Sequence, residues 1–161
     1  MNDVVAMTGV LDPRSSWEAR HCSIAKALDV VSTRTSLLLM REAFYGATRY
    51  EDFVERAGAS QAIVAARLRE LVDAGLLVKE PYKEEGQRTR QGYLLTEKGR
   101  DLFPVLVALM QWGDRWENDG GRVHLHHAGC GARVRTEVRC SNDHLVGPGD
   151  TELRRRPRKA P

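Results

Sequence analysis

The chain is expected to be mainly α-helical with one small β-hairpin, an α+β protein, and three observations predict this. Residues 94–116 place Leu102, Leu106, Leu109, Gly113 and Trp116 at steps of four, three, four and three, the spacing of one helix face. Residues 60–74 carry a second helical pattern, closed by Gly75. Between the two, the apolar triplets at 76–78 and 93–95 flank a charged segment, KEEGQRTRQG, which is the composition of strand, turn and strand.

In chain order, residues 1–20 are mixed and hold Pro13, which predicts an arm in which Ser16 caps a short helix bearing Trp17. Ile24, Ala27, Leu28 and Val31 space a helix over 23–31. Another is expected over 33–45, with an LLLM run at 37–40 too apolar to face water and Gly46 at its end. Two shorter helices follow, 50–57 stopped by Gly58 and 60–74 stopped by Gly75, and the Gly58-Ala59 link forces a sharp turn. After the hairpin, Thr96 is a good N-cap and Glu97 suits the positive end of a helix dipole, so one helix should run from about 96 to 118. Phe103, Val107 and Met110 form a second apolar line on it, so one face can serve the core and the other a partner, as a dimerisation helix would. From 119 onward the composition shifts to His, Cys, Arg and Gly without periodicity. The expected organisation is therefore an arm (1–20), a body (21–118) and a basic tail (119–161) ordered in part at most.

At 161 residues the chain can bury one real core. No stretch is apolar for the length of a membrane span and the start lacks the build of a signal peptide, so a cytoplasmic protein with no membrane partner is expected. Three scattered cysteines argue against a disulfide framework. The net charge of +3 is uneven: residues 1–120 carry 16 Lys/Arg against 18 Asp/Glu, residues 121–161 carry 9 against 4, and the excess sits in Arg154, Arg155, Arg156, Arg158 and Lys159. Nucleic-acid binding must therefore be argued from placement.

Helix, tight turn, helix and hairpin form the order of a winged helix-turn-helix. In the second of those helices Val64, Leu68, Leu71, Val72 and Gly75 share an inward face, Ser60 and Gln61 open it, and Ala62, Ala65 and Ala66 keep its first turns slim enough for a major groove. Glutamine there can bond adenine, and arginine can bond guanine or phosphate. Arg67 and Arg69 flank the inward stripe. Lys83, Arg88 and Arg90 crowd the hairpin tip against Glu80, Glu84 and Glu85, and the two arginines can lie along a phosphate ridge. The bland alternative is a solvated face with ordinary arginines.

The segments RHCSIAKALDVV, LLLMREAFYG, RYEDF, ARLRELVDAGLL, YLLTEKGRDLFPVLVALMQWGDRW and HHAGCG, in this order over about residues 20–145, resemble the HxlR family of bacterial transcription regulators. The resemblance implies a cytoplasmic homodimer on a roughly palindromic double-stranded DNA site, acting on nearby genes under chemical stress. Its N- and C-terminal helices would make the dimer, here through Trp17, Leu102, Leu106, Leu109, Gly113 and Trp116. One departure is that Ser32 and Thr35 stand where the family commonly has Gly and Trp, so a neighbour fills the space or a pocket opens.

Two switches are considered. Cys22 precedes a helix start and neighbours Arg20 and His21, all of which favour a thiolate, as in relatives thought to sense electrophiles or oxidants. Packing as a small hydrophobe is the alternative. A non-covalent small-molecule effector could instead sit among Trp17, Phe44, Trp112 and Trp116, residues that otherwise read as plain core. In the tail, HLHHAGCGARVRTEVRCSNDH resembles a zinc ribbon with parts missing. Cys130, Cys140, Asp143 and His144, with His126 and His127, are donor types zinc accepts, but a metal-free ribbon fits the spacing better. No other cofactor is expected. No phosphate-binding glycine loop, HExxH or nucleophile with a base is present, so no enzyme is expected. The competing non-enzymatic reading is a winged-helix protein-interaction module without DNA affinity, which the near-neutral body keeps open.

Overall fold

The computed structural model describes residues 4–7, 22–31, 33–83, 86 and 88–154. In chain order they form β1 (Ala6–Met7), α1 (Ser23–Val31), α2 (Arg34–Phe44), α3 (Tyr50–Ala57), α4 (Gln61–Asp73), β2 (Leu77–Tyr82), β3 (Arg90–Leu95), α5 (Glu97–Arg100), α6 (Phe103–Trp116) and β4 (Glu152–Leu153). The chain divides into two units, Lys26–Arg135 and a smaller one drawn from Met1–Ala25 and Thr136–Pro161. In the smaller unit β1 pairs in parallel with β4, Ala6 opposite Glu152 and Met7 opposite Leu153.

In the larger unit the helix boundaries follow local chemistry. Thr33 caps α2 by accepting the Ser36 N–H at 3.0 Å, and Gly46, Gly58 and Gly75 take left-handed φ of 90°, 62° and 70° where helices were expected to stop. The core gathers Leu39 and Met40 of α2, Phe53 of α3, Val64, Leu68 and Leu71 of α4, and Leu77 at the root of β2. Each such side chain stabilises the fold by about 1.5–3 kcal/mol.

Four features differ from expectation. The strands are longer than the apolar triplets: β2 and β3 are antiparallel from Leu77 opposite Leu95 to Tyr82 opposite Arg90. A two-stranded ladder needs backbone partners more than apolar side chains, and it tolerates Pro81 at an edge. Arg90 thus belongs to β3, not to the tip. The single long helix is broken at Asp101-Leu102, with Pro104 in the first turn of α6. Proline lacks an N–H, and its ring would strike the carbonyl four residues back in a continuous helix.

The expected stripe also divides. Val107 is buried and Leu102 and Leu106 pack on the core. Val105, Leu109, Trp112 and Trp116 form an outward line, 48%, 48%, 58% and 62% exposed. Gly75 is an exposed helix terminator, not part of α4's inward face.

Finally, the unit boundary lies after Arg135, not near 119. Residues 124–134 turn back on α6: Gln111 donates to the Val134 carbonyl at 2.8 Å, Val134 N–H to Leu125 O at 2.9 Å, and Asp114 faces His124 at 3.8 Å and Arg133 at 4.0 Å. No helix among the described residues is long and apolar enough to cross a membrane. Ser16, Trp17, Arg20, His21, Ser32, Glu84, Glu85, Arg155, Arg156, Arg158 and Lys159 lie outside the described residues.

Candidate nucleic-acid interface

The start of α4 is held from both sides. Ser60 Oγ accepts the Ile63 N–H at 3.4 Å, and the Tyr50 hydroxyl of α3 donates to the Gln61 carbonyl at 3.0 Å. With Val64, Leu68 and Leu71 buried, Gln61, Ala62 and Ile63 are left exposed, and Ala65 and Ala66 are half-buried. Ile63 was not singled out from the sequence. It is 47% exposed in the first turn and offers the kind of apolar surface that meets a thymine methyl.

The cations are less uniform than a sequence count suggests. Arg69, Lys83 and Arg88 are exposed. Arg67 is half-buried and ion-paired with Glu70 on the same helix. Arg90 is bound to Glu51 of α3 at 3.1 Å, which ties β3 to the helix before the turn. A further cation missed in the sequence, Arg49, lies over the Tyr82 ring at 5.4 Å and braces the end of β2.

The hairpin is fixed to the helical body at its middle and its root. Tyr93 N–H donates to the Thr48 carbonyl at 2.8 Å. Gly92 permits this approach, because a Cβ there would lie 3.3 Å from the same oxygen. The Tyr93 ring meets Phe53 edge-on at 5.8 Å. Burial raises the Tyr93 phenol above its ordinary 10.0, and Tyr50 adds to this while Arg69 opposes it. At the root, Thr96 Oγ1 donates to Gly75 O at 2.7 Å and accepts the Gly99 N–H at 3.0 Å. Thr96 N–H reaches Leu76 O at 3.1 Å, and Lys98 Nζ reaches Ala74 O at 2.7 Å. One threonine thus joins the end of α4, the root of β2 and the start of α5.

The other candidate residues are dispersed. Cys22 is half-buried immediately before α1, and all three cysteines are free thiols. Cys130 Sγ lies 3.2 Å from His127 Nδ1, and Cys140 N–H donates to His144 O at 3.0 Å while Asp143 N–H donates to Cys140 O at 2.9 Å. Among the described residues no three His, Cys, Asp or Glu side chains gather as a metal site would require. Phe44 lines a cavity of about 280 Å³ between α2 and α6, which Trp112 and Trp116 do not line.

A three-residue turn between α3 and α4, an exposed leading edge on α4 and a hairpin locked beside it make this a winged helix-turn-helix, the architecture of a transcription regulator. Residues 30–120 match the HxlR-like helix-turn-helix family, and the chain belongs to it. An uncharacterized HTH-type transcriptional regulator of Mycobacterium tuberculosis is 38% identical over 122 residues, covering 74% of this chain and 76% of that protein. The crystal structure of PA1607, "a Putative Transcription Factor", is similar at 37% identity and a TM-score of 0.77, over 86% of this chain and 97% of that one. The redox regulator HypR in its oxidized form is similar at 27% identity and a TM-score of 0.53, over 58% of this chain and 96% of its own.

Proposed function

We propose that the protein is a homodimer that binds a roughly palindromic stretch of double-stranded DNA in the cytoplasm, with one α4 helix from each copy in successive major grooves. The presentation of α4 carries this reading: Ser60, Gln61, Ala62 and Ile63 are exposed at the end of a helix whose opposite face is the centre of the core. Arg69 on the helix and Lys83 and Arg88 on the wing supply phosphate contacts on either side. The outward line of Val105, Leu109, Trp112 and Trp116 on α6 supports pairing with a second copy, because so much contiguous apolar surface is costly in water. The control signal we assign is modification of Cys22 or binding of a small molecule. The likeness to a redox regulator supports the thiol.

A gel shift on the protein's own promoter region at several salt concentrations tests the reading. Each lost phosphate contact makes the slope of log affinity against log salt shallower by about one unit. Arg88→Ala should show that loss, whereas Gln61→Ala should alter preference between sites more than overall affinity. Absence of salt-dependent binding would favour a winged-helix module that docks protein.

A further inference from the structure

We propose that the cavity between α2 and α6 binds a neutral, largely apolar small molecule of about the size of a two-ring aromatic, carrying one hydrogen-bond acceptor. Its volume, about 280 Å³, is close to the lower bound for small-molecule sites, roughly 300 Å³. Leu37, Leu38 and Phe44 of α2 and Phe103, Leu106 and Val107 of α6 supply apolar wall. The Phe44 and Phe103 rings are 5.3 Å apart and tilted by 50°, so the lining presents both an aromatic face and an aromatic edge to a flat guest. Leu125 closes one side, carried there by the segment that Gln111 holds to α6.

The two polar groups at the cavity define the ligand's chemistry. Arg41 is already bound to Glu42, its Nε donating to Oε1 at 2.8 Å. That pair is neutral as a unit, so the site holds no excess positive charge to repay the desolvation of an anion. Tyr45 is 48% exposed, and among the described residues its hydroxyl donates to Met110 Sδ at 3.9 Å. A thioether is a weak acceptor, and a guest with a carbonyl or ether oxygen that shields the hydroxyl from water gives this donor a better partner than Met110 does. Because α2 also packs against α4, a guest wedged between α2 and α6 bears on the recognition helix. That regulatory consequence rests on the proposed DNA binding, whereas the binding site itself does not.

The test titrates the full-length protein, without DNA, with 2-acetonaphthone and with 2-naphthoate, following Leu, Val and Met methyl signals by NMR. The ketone should give saturable shifts centred on Leu37, Leu106 and Met110, with affinity at least about tenfold above the carboxylate, whose charge the pocket cannot repay. Tyr45→Phe should weaken the ketone by about two- to tenfold, the net value of one hydrogen bond. Leu106→Trp should fill the cavity and abolish the shifts, with Leu38→Phe as the substitute if that variant does not fold. No saturable shift, equal or tighter binding of the carboxylate, or undiminished binding in the filled variant would overturn the proposal. Ketone affinity that falls as protein concentration rises would also overturn it, because a second copy would then be the occupant. A protein that binds the ketone but no DNA would refute the regulatory reading and leave the site standing.

Discussion

Replacing Gly99 with alanine should loosen the junction of α4, hairpin and α5. A Cβ on Gly99 would lie 2.1 Å from the Leu76 carbonyl oxygen and 3.1 Å from its carbon. Those are backbone atoms that cannot rotate aside. Ordinary contact begins at 3.4 Å, so α5 must withdraw by more than an ångström. That movement stretches three bonds: Thr96 N–H to Leu76 O at 3.1 Å, Thr96 Oγ1 to Gly75 O at 2.7 Å and Lys98 Nζ to Ala74 O at 2.7 Å. At a net value of about 0.5–1.5 kcal/mol each, they amount to roughly 1.5–4.5 kcal/mol. Alanine returns at most about 1 kcal/mol through helix propensity. The expected net loss is therefore about 0.5–4.5 kcal/mol, seen in urea as a lower midpoint at an unchanged slope. DNA affinity should fall with it even where the variant is fully folded, because the helix and the wing share this joint. An unchanged midpoint would refute the claim that the Gly99–Leu76 contact sets the position of α5.

Leu109→Glu with Trp112→Glu should give a folded monomer by light scattering, since both side chains are exposed in the single chain. Leu106→Glu should unfold it, and a double variant that keeps the dimer mass would refute the assigned face. Leu68→Ala, at a fully buried position, should cost about 2–5 kcal/mol by urea titration. Cys22→Ser should bind DNA normally yet no longer release it after treatment with N-ethylmaleimide, as judged by gel shift; persistent release would assign the effect elsewhere. Tyr93 should ionise above 10.0 in a spectrophotometric titration. Its neutral form is favoured by folding, so that contribution is complete below the unfolded value and lost as pH rises through the folded one. Tyr93→Phe should remove the late component.

The helices were legible because their ends are chemically marked: Thr33, Ser60 and Thr96 cap them, and Gly46, Gly58 and Gly75 close them. The break before Pro104 was equally legible in principle, but the regular apolar spacing across it concealed it. Periodicity reports that a face is apolar, not what covers it, so Leu106 and Leu109 read alike although one packs inward and the other faces water. The strand extensions rest on backbone hydrogen bonds, which leave no pattern in side-chain type, and the 124–134 segment is held to α6 by the isolated side chains Gln111 and Asp114, which form no periodic pattern. The Ala6–Met7 pairing with Glu152–Leu153 joins positions about 145 residues apart, and composition carries no trace of it. Among the candidate DNA contacts, residue type revealed the cations but not the Glu70 and Glu51 carboxylates that partner Arg67 and Arg90.

Those two ion pairs bear on how such a protein would search a genome. Non-specific affinity for DNA comes almost wholly from exposed positive charge, and competing sites outnumber the correct one by roughly 10⁶–10⁹. A surface that neutralises Arg67 and Arg90 internally spends less time held on random sequence. On the proposed binding mode the two carboxylates would act as a small toll, about 0–1 kcal/mol for each exposed pair, because a phosphate would have to displace Glu70 or Glu51 from its arginine before either cation contributed. Removing Glu51 or Glu70 would therefore tighten binding everywhere and narrow the gap between the right site and the wrong ones.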